Sequence, residues 1–194
     1  MNEEFLFYWL MWVFFIIVYF FMETGRKRTL FLFWILITII TTNMFLNING
    51  VSVSIAFLCF LLSVIIFYVT DVFSIYKMIA TFPIMIGYVS LLMWKKITPI
   101  WFFMPSYFMI PILSVVVISF LLQKHYEQIT AALVGISFGQ LIYEMIVISY
   151  RLNNIIGEQV FFIHISITIL LLIIIQFFQT CLFMILNKFR RNIV

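Results

Sequence analysis

Residues 135–151 read GISFGQLIYEMIVISYR, and the fold turns on how this stretch is placed. It is apolar apart from a serine, a glutamine, a glutamate, a second serine and the closing arginine, and it begins with two glycines four positions apart. Set on a helical wheel at about 100° per residue with Glu144 at zero, Ser137 falls near +20°, Gln140 near −40° and Arg151 near −20°. Ala131, Ala132, Gly135 and Gly139 gather on the opposite side, where Gly-x-x-x-Gly spacing lets two helix backbones approach closely. A helix with a polar stripe on one side and a small-residue seam on the other is predicted to have protein neighbours on both, and so to lie centrally in a bundle.

The rest of the chain is of the same kind. Hydrophobic residues make up 66% of the 194 and charged residues only 9%, against roughly a quarter charged in a soluble domain. Apolar runs of about the 20 residues needed to cross a hydrocarbon core recur throughout. Seven are counted, at about 5–22, 30–46, 51–69, 78–94, 100–122, 129–150 and 160–186, joined by segments too short to fold alone. Such continuous, non-alternating runs predict helices and not barrel strands, because each span must satisfy its own backbone hydrogen bonds. The expectation is an all-α polytopic bundle forming one integral membrane domain over 1–194. The leader MNEE is acidic where a secretory signal is basic, so the first span is read as retained. No N-x-S/T acceptor triplet occurs.

Cytoplasmic loops collect Lys and Arg, which orients the bundle. With seven spans and the N-terminus outside, the inner face holds Arg26, Lys27, Arg28, Lys77, Lys124, Lys188, Arg190 and Arg191, against Lys95, Lys96 and Arg151 outside. If 78–94 were re-entrant, the balance would fall to seven against four of the eleven basic residues. The first arrangement is favoured, with the C-terminus cytoplasmic; the Lys95-Lys96 pair on the outside is its weak point, and the 78–94 segment beside it is short. The net charge of +4 then reflects helix-end residues meeting lipid headgroups, and no loop could hold a nucleic acid. Trp9, Trp12, Trp94, Trp101, Tyr8, Tyr19 and Tyr150 lie near span ends, as an interfacial belt would.

Soluble-enzyme chemistry is not visible. Cys59 and Cys181 fall at different depths and read as packing residues. His125 and His164 lie in different regions, with no zinc-ligand spacing and no phosphate-binding or nucleophile-elbow motif. No catalytic residue, cofactor or metal is expected. Attention therefore moves to polar groups inside the spans. Glu144 is predicted about 10 Å below the outer surface, and His164, early in the returning span, at similar depth. With Gln140 and Arg151 they form a candidate polar cluster; the alternative is that these groups are separately satisfied. Thr38, Thr41, Thr42, Asn43 and Asn47 on the second span, with Thr168, Gln176, Gln179 and Thr180 on the seventh, read as interhelical glue. Pro83, Pro105 and Pro111 are expected to free the carbonyls of Ile79, Trp101 and Tyr107, while Pro99 starts its span.

The opening FLFYWLMWVFFIIVYFFMETGRKRTL (5–30), with its aromatic first helix and immediate basic turn, resembles the YphA family of small bacterial integral membrane proteins. The resemblance implies a multi-pass plasma-membrane protein and carries over no site residue. Two functional classes remain open. One is a non-enzymatic protein that works by binding membrane protein partners, a second copy of itself included, or membrane lipids. The other is a small-solute binding or transport unit built around Glu144, Arg151 and His164. In size the chain is similar to the substrate-binding subunits of energy-coupling-factor transporters, but its first span has no alanine for their A-x-x-x-A motif.

Overall fold

The computed structural model describes residues 3–48, 50–70, 75–101, 103–151 and 155–191. The segments 71–74 and 152–154 between expected spans, Asn49 and the tail after Arg191 lie outside the described residues. Seven α-helices follow one another: α1 Glu3–Phe21, α2 Arg26–Thr41, α3 Ile55–Thr70, α4 Ile75–Ile97, α5 Ser106–Leu121, α6 His125–Ser149 and α7 Gln159–Arg191. Among the described residues four are long and apolar enough to cross a membrane: α1, α4 over Met78–Ile97, α6, and α7 over Gln159–Leu182. The other three have 16 residues each, about 24 Å at 1.5 Å per residue.

The second and third helices are shorter than the apolar runs because the chain between them forms strands. β1 Phe45–Ile48 pairs antiparallel with β2 Val51–Ser54, and β3 Ile155–Ile156 adds to β2 in parallel. Asn43 and Asn47 therefore do not belong to a helix: Asn47 accepts a hydrogen bond from Ser52 across the hairpin, and Asn43 ties Tyr8 of α1 to Gln159 of α7. The fifth helix also starts later than the apolar run. Pro99–Trp101 make a 3-10 turn, and Pro105 is the residue before α5, so it breaks no helical bond at Trp101. Pro83 and Pro111 do lie inside helices.

The small-residue seam of α6 packs on α4. A Cβ added at Gly135 would come within 2.7 Å of the Ile84 side chain, and one at Gly139 within 3.1 Å of the Met85 carbonyl. Gly135 faces Ile84 and Gly139 faces Tyr88, at one constant offset in sequence, so the two helices run parallel and α5 returns between them. The α6 window is 56% buried, against 22% in α1 and α4, which makes it the central element. The core beneath the sheet is aromatic: Phe7, Phe57, Phe60, Phe161 and Phe162 meet edge to face. On α2, Thr38 and Thr41 bond their own helix, while Trp34 donates across to Ser63 of α3. Past Leu172 the described part of α7 leaves the core, and Gln176, Gln179 and Thr180 are exposed, not interhelical.

Candidate functional site

The polar stripe of α6 forms one continuous hydrogen-bonded chain with two other helices. Gln140 Nε2 donates to Glu144 Oε1 at 2.7 Å, four residues along the same face. The Tyr88 hydroxyl, from α4, lies 3.0 Å from Gln140 Oε1 and 2.9 Å from His164 Nδ1 on α7. At the other end the Gly157 amide donates to Glu144 Oε1 at 2.9 Å. All four side chains are buried, Tyr88 and His164 to 1% exposure, Glu144 to 4% and Gln140 to 7%.

Donor and acceptor roles follow along the chain. The Gln140 amide nitrogen faces Glu144, so its carbonyl faces Tyr88, and only the Tyr88 hydroxyl can donate there. With its proton so used, Tyr88 accepts from His164 Nδ1–H, which leaves Nε2 as a bare acceptor. Every bond thus points toward Glu144. Two ends are left over: Glu144 Oε2 and His164 Nε2 are buried without a partner. Each such group costs about 1–3 kcal/mol when nothing satisfies it.

Gly157 is what allows the amide to reach Glu144. Its φ of +79° suits glycine, and an added Cβ would collide with Phe57 Cβ. Arg151, by contrast, does not join the chain. Helix α6 ends at Ser149, Tyr150 caps it, and Arg151 turns to φ 55° and is exposed, so helical periodicity no longer governs its direction. Among the described residues no ion pair joins it to Glu144. Tyr88 and Gly157 were not among the residues singled out from sequence. A lone tyrosine within an apolar run was the available sign, since a buried Tyr hydroxyl seeks a partner.

A family model described as YphA-like integral membrane protein matches residues 3–193. The chain belongs to that family. No curated protein and no solved structure matches it. In a YphA-like integral membrane protein the network lies within the apolar length of α4, α6 and α7, where low dielectric strengthens a satisfied polar chain and penalises a broken one. Among the described residues no three His, Cys, Asp or Glu side chains are grouped. The arrangement can hold three helices in one register, and it leaves one carboxyl oxygen and one imidazole nitrogen unpaired in the interior.

Proposed function

We propose that this YphA-like protein is a seven-span, non-enzymatic protein of the bacterial plasma membrane, N-terminus outside, that acts by binding membrane protein partners or lipid, and of the two a protein partner is favoured. The inner half of α7 carries this reading. The helix has 33 residues, about 50 Å against a hydrocarbon core of about 30 Å. Ile173, Ile174, Phe177, Phe178, Leu182 and Met184 are exposed there. Gln176, Gln179 and Thr180 are exposed among them, on one face at i, i+3 and i+4. Amide side chains in an apolar helix are best satisfied by another helix, through hydrogen bonds across the contact. Purification in mild detergent followed by mass spectrometry is the test. A stoichiometric protein partner is expected, lost when Gln176 and Gln179 are both replaced by leucine; a wild-type chain that emerges alone and monomeric would refute it.

A second reading, a small-solute binding or transport unit, is favoured by the two unpartnered buried atoms, Glu144 Oε2 and His164 Nε2. In the same experiment a retained small molecule would support it. Glu144→Gln keeps the shape and removes the charge, so a folded but inactive variant in a growth or uptake assay points the same way.

A further inference from the structure

Where α4 gives way to α5, Lys95, Pro99, Phe103, Met104, Pro105 and Ser106 line a cavity of about 320 Å³. That volume falls within the range of about 300–1,000 Å³ usual for small-molecule sites. Among these lining residues Lys95 carries the only charge. It stands seven positions past Tyr88, within about 20° on the helical wheel. Lys95 therefore continues the buried face of Ile84, Tyr88 and Leu92 at the end of α4. It is half-buried, whereas its neighbour Lys96 is exposed. Among the described residues no acidic side chain is paired with Lys95, and the Ser106 hydroxyl is without a hydrogen-bond partner. The rest of the wall is apolar and turned outward: Phe103 is 91% exposed and Met104 54%. A free inorganic anion gains nothing from such a wall, while an amphiphile with a charged head and an apolar body uses both parts of it.

We propose that this cavity binds an anionic phospholipid, its phosphate held by the Lys95 ammonium and the Ser106 hydroxyl and its glycerol and acyl carbons lying over Phe103 and Met104. Lysine is a compact point-charge partner for phosphate, and a hydrogen bond between ionised groups is stronger than a neutral one. A half-buried ammonium without a counter-charge is costly, and a bound phosphate supplies that charge. The site also accounts for an exception in the charge pattern, because in the proposed seven-span arrangement Lys95 and Lys96 lie on the side poor in basic residues. The proposal rests on the lipid alternative of the proposed function and names its headgroup class; partner binding through α7 is independent of it.

The test uses the full chain in mild detergent, with native mass spectrometry following the lipid retained as phosphatidylglycerol or phosphatidylcholine is added. Both lipids carry the phosphate, and only the first has a net negative charge. Saturable retention of phosphatidylglycerol is expected, about tenfold tighter than that of phosphatidylcholine. Lys95→Gln should remove the preference, Lys95→Arg should keep it, and Lys96→Gln should leave it unchanged. Should Lys95→Gln fail to fold, Ser106→Ala is expected to weaken phosphatidylglycerol binding about fivefold, the loss of one hydrogen bond. A preference that Lys95→Gln and Ser106→Ala both leave unchanged overturns the proposal, and one that Lys96→Gln removes as fully as Lys95→Gln overturns it in favour of diffuse surface charge. Inorganic phosphate that displaces phosphatidylglycerol at similar concentration would make the occupant a free anion and overturn the lipid. Equal retention of the two lipids overturns the site while keeping the lipid reading; a chain that retains neither removes both.

Discussion

Tyr88 shows what a single hydroxyl does when it serves two helices. It donates to Gln140 and accepts from His164, so Tyr88→Phe strands two buried groups at once, at about 1–3 kcal/mol each. A fall in melting temperature on the order of 5 °C is expected, and an unchanged value would mean that the bridge does not form. Gly157 separates two costs. Gly157→Ala meets both the positive φ and Phe57, whereas Gly157→Ala with Phe57→Gly, which removes the Phe57 Cβ along with the ring, relieves only the second. The double variant should therefore lose less than the sum of the single losses yet not return to wild type, as read by thermal unfolding. At this scale the sequence was legible where period 3.6 holds. Gln140 and Glu144 share a face because α6 is regular through both, and Arg151 departs because the helix stops before it. Tyr88 was illegible because nothing in a single sequence says which helix α4 will lie against.

Elements differ in how much of their boundary is local. The α6 seam was readable because Gly-x-x-x-Gly has a steric meaning whatever the partner, and α4 fills it. Gly135→Ile and Gly139→Ile should each lower the yield of folded protein, since the added side chains force α4 away. Gly135→Ala is expected to be partly relieved by Ile84→Ala, because the nearest obstacle at 135 is the Ile84 side chain. At Gly139 the Met85 backbone carbonyl stands at 3.1 Å and no side-chain substitution removes it. If Ile84→Ala gives no relief, with the two stability losses simply adding, the seam does not pack as described. The small sheet was hidden by its composition: Phe45–Ile48 and Val51–Ser54 are apolar enough to extend the neighbouring helices. The missed sign was Asn49-Gly50, the strongest two-residue hairpin signal, with Gly50 at φ +85°. Strand pairing then satisfies backbone groups at that end which a longer helix would have satisfied internally.

Across the whole molecule, the number and direction of the helices decide which ends of the chain share a side. Composition made the membrane legible, but hydropathy alone left the 78–94 segment able to cross or to turn back. The structure gives α4 23 residues, about 34 Å and enough to cross the hydrocarbon core. Its parallel packing on α6 further requires α5 to run back between them. In the proposed seven-span reading, seven alternating helices put the termini on opposite faces. The basic turn Arg26–Arg28 and the basic tail Lys188–Arg191 then fall on one side with Lys77 and Lys124, and only Lys95, Lys96 and Arg151 on the other. Under that reading the positive-inside bias assigns the first side to the cytoplasm. A reporter active only in the cytoplasm should therefore be active when fused after Val194 and silent before Met1, and one active only outside should give the reverse. A C-terminal fusion that reads external in both formats would sink the seven-span orientation, and the sheet and the Glu144 chain would then face the cytoplasm.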